Sequence, residues 1–446
     1  MTARGLMHQS NGEDATRASH RVLTISAAAA LCAFLPPDSA SAYTVTTPHS
    51  FCAWSNCGDG AEPKAGLLRD ASGNLYGTTP SGGANGMGVV FELVPNPQTG
   101  KYKEYVLRNF CIKANCADGS SPEAELIMDV DGNLYGTTEN GGADDDAGVI
   151  FKLTHNGSGW SFAVLHNFCS TNLGAKCADG KYPVAGLTYA GQAAGEQWDE
   201  SSPLFGTALE GGQHGRGVAF KLINNGGEWQ ESIVHDFDSA LAPLAIIMDF
   251  AGNLLGMTEG GGKYGHGILY RLAAGTWKET TFHNFCAQTN CTDGDYPAGR
   301  LAVDAAGDVF GVTERGGCDD DCGVLFKRKA GGGYSVIHVF GQEPKDGILP
   351  TAGPILDASG NLYGTTYEGG TKGFDLGGGT VFKLSYDTTT QQWNETTLHT
   401  FSAFTFNPHG ADPAGPVIMD GDGNLYGTTF QGGANGNYGT VFKLKP

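Results

Sequence analysis

One seven-residue phrase recurs along the chain and sets its architecture. It reads Gly-Asn-Leu-Tyr-Gly-Thr-Thr and occurs at residues 73–79, 132–138, 360–366 and 423–429. Weaker copies lie at residues 203–208, 252–258 and 307–313. Seven copies at a spacing of roughly 50–70 residues indicate a repeat protein, because a fixed period outweighs the two or three domains that length alone suggests. The second glycine is common to all copies, as Gly77, Gly136, Gly206, Gly256, Gly311, Gly364 and Gly427.

Each repeat divides into four short apolar runs. In the fifth repeat they cover residues 301–304, 308–313, 323–327 and 334–340, with Gly and Asp between them. Such runs predict strands, and their tight turns favour antiparallel pairing. Seven repeats of four strands predict an all-β fold, a seven-bladed β-propeller of four-stranded antiparallel blades. A solenoid is the structural alternative, but the distinct polar end caps that it needs are not evident.

The two ends of the repeat region complement each other. Residues 43–51 match a fourth strand such as residues 395–401, whereas residues 439–444 at the other end match a third strand. We predict that residues 44–51 form the outermost strand of the last blade, because an open ring would leave unpaired edges. The first strand of each repeat, short and apolar, is predicted to be innermost. The third repeat inserts residues 190–202, a loop predicted to stand out on its face.

The first 42 residues are typical of an export signal. Arg17 and Arg21 precede an apolar run at residues 22–35, and Ala40-Ser-Ala42 supplies small residues for cleavage. We predict a signal peptide at residues 1–42 and a mature propeller at 43–446, secreted to the periplasm or the extracellular space. No other stretch approaches membrane-spanning length, so no membrane span is predicted.

Cysteine spacing agrees with export. Cys32 falls in the predicted signal, and the other ten cysteines form close pairs within single repeats. A zinc site built from cysteine pairs would need two pairs that converge on one ion, whereas these pairs are spread over separate repeats. We therefore predict five disulfides in an oxidising compartment. The pairs are Cys52–Cys57, Cys111–Cys116, Cys169–Cys177, Cys286–Cys291 and Cys318–Cys322.

The net charge of −20 limits the partners. Phosphate binding requires a basic surface, so nucleic acid and anionic lipid are excluded as bulk electrostatic partners. Cations or cationic partners would be attracted. We predict a monomer.

The phrase, followed by Gly-Gly and then a run such as Gly-Val-Val-Phe-Glu-Leu, resembles the GloVer tandem repeat of exported bacterial proteins with varied anchoring, the choice-of-anchor group. The resemblance covers essentially all of residues 43–446. It implies a secreted or surface repeat protein. It implies no established activity and no catalytic residues.

Two repeated polar motifs have structural interpretations. Asp-x-Asp-Gly-Asn at Asp129–Asn133 and Asp420–Asn424 overlaps the start of an EF-hand loop but lacks its glutamate at position twelve. A hairpin turn is favoured, and calcium is the alternative. Histidine, replaced once by Arg108, stands two residues before the phenylalanine that ends the fourth strand. An outermost position would spread these rings around the rim, so we predict packing or blade-to-blade hydrogen bonds. They are His49, His166, His235, His283, His338 and His399.

The loops after the second and fourth strands are the candidate binding surface. They open on one face of a blade, and loops on a regular scaffold are where binding usually occurs. The acidic candidates are Glu139, Asp144, Asp145, Asp146, Glu210, Glu259, Glu314, Asp319, Asp320, Asp321 and Glu368. The aromatic candidates, which could stack on sugar rings, are Tyr182, Tyr296 and Tyr367.

Three functions fit these loops. The first is a non-catalytic module that binds a glycan or a protein through this face, with no cofactor, or with calcium held by carboxylates. The second is an exported glycosidase or lyase that uses two of the carboxylates. The third is a structural surface protein.

Overall fold

The computed structural model describes residues 43–143, 145–157, 159–171, 177–319, 322–343, 345–370, 377–402 and 407–446. The predicted signal peptide lies outside this range. Among the described residues, no helix is long and apolar enough to cross a membrane. Residues 43–446 form one compact unit that is almost entirely β.

The strands are short, as expected for apolar runs cut by glycine. In chain order they are β1 (Thr44–Ser50), β2 (Leu68–Arg69), β3 (Leu75–Thr79), β4 (Val89–Pro95), β5 (Tyr102–Asn109), β6 (Ile127–Met128), β7 (Leu134–Thr138), β8 (Val149–His155), β9 (Trp160–Asn167), β10 (Leu204–Ala208), β11 (Val218–Asn225), β12 (Glu228–Asp236), β13 (Ala240–Pro243), β14 (Ile247–Met248), β15 (Leu254–Gly261), β16 (Ile268–Leu272), β17 (Glu279–Asn284), β18 (Asp295–Val303), β19 (Val309–Arg315), β20 (Val324–Arg328), β21 (Tyr334–Val339), β22 (Gly347–Ile348), β23 (Ile355–Leu356), β24 (Leu362–Thr366), β25 (Glu368–Gly369), β26 (Gly377–Asp387), β27 (Gln392–Ser402), β28 (Ile418–Met419), β29 (Leu425–Thr429) and β30 (Thr440–Lys445). Short 3-10 turns lie at Ser55–Cys57, Ala114–Cys116, Gln192–Ala194 and Thr289–Cys291.

These strands form the seven antiparallel blades that the repeats predict. In order of chain position the blades are β2 to β5, β6 to β9, β10 to β12, β14 to β17, β18 to β21, the set β23, β24, β26 and β27, and finally β28 to β30 with β1. In the third blade an isolated bridge between Thr188 and Phe205 stands in place of a first strand. β13, β22 and β25 extend the loops at one face. The seven-bladed propeller is confirmed.

The N-terminal strand closes the ring. β1 pairs antiparallel with β30, with Thr44 opposite Lys445 and Ser50 opposite Thr440. The last blade therefore has the order β28, β29, β30, β1, with its outermost strand taken from the other end of the chain. Phe51, which follows β1, is 1% exposed. The predicted closure is confirmed.

The repeated phrase forms a turn that leads into a buried strand. In the second blade, Asp129 Oδ1 accepts the backbone N–H of Asn133, and its Oδ2 accepts hydrogen bonds from the Asn133 amide and the Tyr135 hydroxyl. The same contacts surround Asp357 and Asp420. These aspartates satisfy their own turns, so the hairpin interpretation is confirmed.

Other residues of the repeated phrase contribute to packing within and between blades. Its second glycine faces an aromatic ring of the third strand: a Cβ on Gly427 would lie 2.5 Å from Phe442 Cζ. Its first threonine ties neighbouring blades, because Thr78 Oγ1 donates to the Ala124 carbonyl and Thr428 Oγ1 to that of Ala65.

The insert of the third repeat stands out only in part. Residues 193–197 are exposed, but Trp198 is 2% exposed and its ring meets that of Tyr135 edge-on at 4.9 Å. Glu200 accepts hydrogen bonds from the Tyr135 hydroxyl and the Lys152 ammonium. The end of the insert therefore packs on the second blade instead of projecting from it.

The histidines of the fourth strands line the outer rim, as predicted. All six rings pack on the phenylalanine two residues later, at centroid distances of 4.7–5.1 Å. Four of them also face an aspartate of the following loop, and Arg108 pairs with Asp118 in the same way. These pairs are His49–Asp59, His166–Asp179, His283–Asp293 and His338–Asp346, with Nε2–Oδ2 distances of 2.9–3.2 Å.

Glu231, at the outer rim, should make the free energy of unfolding depend on pH. It lies on β12, and burial together with the charge of Asp179 raises its pKa to about 8. A carboxyl whose pKa is raised on folding stabilises fully below its unfolded value, and this contribution is lost as pH rises through the folded value. In chelator-treated buffer, the free energy of unfolding should therefore fall by a few kcal/mol between about pH 5 and 9.

Denaturant titrations at each pH would measure this loss. Glu231→Gln, which cannot ionise, should flatten the slope, whereas Glu228→Gln on the exposed hairpin should leave it unchanged. Asp179 acts in a separate window: burial opposes ionisation, but His166 Nε2 at 3.2 Å and hydrogen bonds donated by Ser170 lower its pKa to about 2. Its contribution is lost only as pH falls below about 4. A Glu231→Gln variant with the wild-type slope would contradict the assignment.

Candidate functional site

Five disulfides staple one face of the ring. All five predicted pairs are bonded: Cys52–Cys57, Cys111–Cys116, Cys169–Cys177, Cys286–Cys291 and Cys318–Cys322. The two kinds of loop meet there, because Gly83 N–H donates to the Cys57 carbonyl and Gly317 N–H to that of Cys291. We call the surface formed by the loops after the second and fourth strands the disulfide face.

A ring of left-handed residues surrounds the channel on this face. One residue per blade, always directly before a proline, has a φ between 51° and 62°. A non-glycine residue with positive φ is uncommon, and at seven equivalent places it is held by its neighbours. Ser121 shows how: its N–H donates to the Met87 carbonyl of the preceding blade, and its own carbonyl accepts from Glu139 N–H. The seven are Glu62, Ser121, Tyr182, Ala242, Tyr296, Leu349 and Asp412.

The central channel opens inside this ring. Its mouth is lined mainly by small residues, including Ala65, Ala185 and Ala352, around a cavity of about 190 Å³. Glu125 and Arg300, from the second and fifth blades, form an ion pair of 2.8 Å across the channel. Both residues line the cavity, so the pair lies in the path of access from the disulfide face.

Carboxylates lie in coupled pairs around the mouth. Partial burial and the charge of Glu123 raise the pKa of Glu139, although the nearby Lys64 ammonium acts in the opposite direction. Partial burial and the charge of Glu314 likewise raise the pKa of Glu259. A carboxylate beside a second carboxylate attracts cations. Lys64 Nζ lies 2.7 Å from Glu123 Oε1 and Arg315 Nε lies 3.7 Å from Glu314 Oε1, so the mouth is an acidic rim that already holds two cations of the chain itself.

The third pair joins the last two blades. Burial and the charge of Glu368 raise the pKa of Asp412 to about 6. Asp412 is also one of the seven left-handed residues. Neighbouring carboxylates thus occur at three places around the acidic rim.

The structure brings only part of the predicted acidic set to the rim. Glu139, Glu259 and Glu314 occupy one equivalent position, directly after the last residue of the repeated phrase, and Glu368 and Glu210 occupy the next. Asp146 is used locally, because its Oδ1 accepts the Gly141 N–H at 2.6 Å. Asp145 lies 3.7 Å from the Lys181 ammonium, and Asp319 accepts a hydrogen bond from the Asn290 amide. Asp144, Asp320 and Asp321 lie outside the described residues.

The predicted aromatic residues do not form a stacking platform. Lys181 lies 4.5 Å from the Tyr182 ring centroid, and Arg315 lies 4.9 Å from that of Tyr296. Burial and the charge of Asp412 raise the pKa of Tyr367. Each ring already has a charged neighbour of its own, and the three belong to different blades.

Four residues of the mouth, and the left-handed ring around it, were not expected from the sequence. Glu123, Glu125 and Asp412 lie in the link between blades, and Arg300 pairs with a residue 175 positions away. The signal for the left-handed ring was present as a residue before proline in every repeat. The ion pair of Glu125 and Arg300 could not be predicted from the repeats. The position that these two residues occupy is glycine or alanine in most copies.

Fold and mouth together define a disulfide-stapled β-propeller whose central channel opens through an acidic rim. The chain matches the model of the Gloeobacter/Verrucomicrobia repeat over residues 38–197, 192–405 and 288–446. The protein belongs to this repeat family. Multiple disulfides are typical of extracellular or periplasmic proteins.

Similarity to solved structures is limited to the general fold. A candidate 6-phosphogluconolactonase from Bacteroides uniformis is 12% identical, with 76% of this chain and 88% of that chain covered at a TM-score of 0.45. A gluconolactonase from Xanthomonas campestris is 13% identical, with 67% and 82% covered at 0.36. No curated protein matches the sequence. Scores this low carry no functional argument.

Proposed function

We propose that the protein is an exported, non-catalytic binding module that takes a cationic ligand at the acidic rim. The observation that carries this proposal is the coupling of carboxylates in three pairs around one channel mouth. Each pair includes a group whose pKa is raised first by burial and then by the charge of its neighbour, so a positive charge placed between the two is stabilised by both.

The favoured ligand is a lysine- or arginine-rich segment of another protein. The small residues at the mouth leave room for a side chain, and the pair of Glu125 and Arg300 limits how deep it reaches. A neutral glycan is less favoured because the aromatic residues are dispersed and already face charged neighbours. The protein's net charge of −20 would also speed the approach of a basic partner.

Binding of fluorescent poly-lysine peptides, with poly-glutamate as the reference, would test the proposal. We expect affinity that falls with salt and that weakens at least about tenfold in Glu259→Gln/Glu314→Gln. The matched control is Glu228→Gln, a charge removal on the β11–β12 hairpin of the opposite face. Equal weakening in both variants, or no binding to any basic peptide, would sink the proposal.

A polysaccharide hydrolase is the second candidate. It is favoured by Glu259, whose raised pKa beside Glu314 is the arrangement of an acid and a carboxylate partner. The test is release of reducing sugar from a panel of polysaccharides. If the wild type releases sugar and the Glu259→Gln/Glu314→Gln variant does not, the protein is a hydrolase and the binding proposal is wrong.

A further inference from the structure

A second cluster of titratable groups lies at the outer rim, away from the channel. It joins His49 of β1, Asp59 of the following loop and Glu104 of β5. His49 Nε2 is 3.2 Å from Asp59 Oδ2 and 3.4 Å from Glu104 Oε2. The cluster therefore spans the seam between the last blade and the first.

The Glu104 carboxylate is buried, and no described residue donates a hydrogen bond to it. Its side chain is 4% exposed, and neither of its oxygens has a hydrogen-bond partner among the described residues. A buried carboxylate without donors is costly, and here a second carboxylate lies close by. The arrangement is explained if a positive charge occupies the space between them.

The position of Glu104 is glutamate in several blades, as Glu231, Glu279 and Glu395, and aromatic in two others. Where Arg108 replaces the histidine, it pairs with Asp118 and its guanidinium lies 3.9 Å from the Phe162 ring centroid. Phe162 occupies the place of Glu104. In this blade a fixed cation faces the aspartate and no second carboxylate is present at the equivalent position.

A second blade shows the same substitution. His283 pairs with Asp293, and Tyr334 stacks on the His283 ring at 3.7 Å where Glu104 would stand. The histidine–aspartate pair is thus compatible with an aromatic third member. Glu231 and Glu395 stand beside comparable pairs. Among the described residues, however, His49, Asp59 and Glu104 are the His–Asp–Glu group that brings its ligand atoms within 4.8 Å of one another.

We propose that His49, Asp59 and Glu104 bind a divalent transition-metal ion, with zinc as the best-matched probe. Bonds of about 2.0–2.2 Å in a tetrahedron place ligand atoms roughly 3.3–3.6 Å apart, close to the two distances from His49 Nε2. The three ligand atoms all lie within 4.8 Å of one another. One imidazole nitrogen and two carboxylate oxygens suit zinc better than calcium, which takes six to eight oxygens.

The loop around Asp59 is already ordered for this role. Asp59 Oδ2 also accepts the Ala53 N–H and Oδ1 accepts the Trp54 N–H, both from the loop closed by the Cys52–Cys57 disulfide. Such outer hydrogen bonds fix the orientation of a ligating carboxylate. Because His49 belongs to the ring-closing strand and Glu104 to the first blade, the ion would lock the closure of the ring.

Two other groups of possible metal ligands carry no such inference. Asp145 with Cys169 and Cys177, and His266 with Cys286 and Cys291, bring suitable atoms together. Their cysteines are bonded to each other in disulfides, so no thiolate is available.

The test is zinc binding to the chelator-treated, oxidised protein. We expect tight binding of one ion, absent in Glu104→Gln, by elemental analysis after dialysis. Saturating zinc should raise Tm by several degrees and slow amide exchange in β1. The matched control is Glu231→Gln, which alters the equivalent glutamate beside His166 and Asp179 and should retain both effects.

Two results would overturn the proposal. If Tm is the same in zinc and in chelator, Glu104 is held neutral by a proton, as its pKa of about 9 from burial and the charge of Asp59 would require. If zinc raises Tm equally in Glu104→Gln, the ion binds elsewhere. Because glutamine resembles protonated glutamate, Glu104→Gln should fold, and its exchange in β1 without zinc should match the wild type.

Discussion

Deletion of residues 43–50 should lower the free energy of unfolding by at least about 5 kcal/mol, a loss comparable to the whole stability of many domains. The deletion removes the outermost strand of the last blade and leaves β30 as an exposed edge. Tyr43 and Val45 pack on the core between the sixth and seventh blades, and they would be lost as well. Unpaired edges invite association, so aggregation should accompany the loss. Calorimetry and light scattering would measure both effects.

A permuted chain provides the control for this deletion. Because Thr44 lies opposite Lys445, a short turn such as Asn-Gly after residue 446 would connect β30 to a transplanted copy of residues 43–50. The last blade would then have the same hairpin connection as the other six. The permuted chain should regain most of the lost stability. A deletion variant that unfolds like the parent, or a permuted chain as weak as the deletion, would refute the role assigned to β1.

Replacement of Gly427 by alanine should cost about 2 kcal/mol, through overpacking and not through backbone strain. Its φ is not in the left-handed region, but the new Cβ would lie 2.5 Å from Phe442 Cζ and 2.8 Å from Cε1. Neither the ring nor the strand can move without disturbing the neighbouring blade. Chemical denaturation would measure the loss.

Two further variants test whether the clash with the Phe442 ring causes the loss of stability. Gly421→Ala, in an exposed turn of the same blade with nothing within 4 Å, should change stability by less than about 0.5 kcal/mol. Phe442→Leu makes room for the methyl group, so the double variant should be less destabilised than the sum of the two single changes, by about 1 kcal/mol or more. Strict additivity would show that the ring is not what excludes the side chain.

The sequence determined the architecture because the information is local and repeated. Seven copies of one phrase counted the blades, and an unmatched strand at each end of the repeat region placed β1 beside β30. The disulfides were predictable for the same reason, since each joins cysteines four to eight positions apart.

The site was less predictable because its contacts cross between blades. Nothing in the sequence near Glu125 points to Arg300, and nothing near His49 points to Glu104. The histidines were expected to be too far apart to share an ion, and they are. The sequence did not reveal that one of them meets two carboxylates, because the second comes from the next blade at a residue not shared by all repeats. The prediction that the insert at residues 190–202 projects is correct only for its exposed part. The burial of Trp198 depends on Tyr135, which belongs to another repeat.

The pairing of β1 with β30 has a consequence for the order of events during biosynthesis. A ribosome makes residues 44–50 long before residues 440–445, so β1 must wait for all the intervening blades before its partner exists. The disulfides need no such wait, because their cysteines are made almost together. Once the chain is in an oxidising compartment, disulfides can therefore form within individual blades early, whereas the ring closes only through a pairing of high sequence separation, which is intrinsically slow.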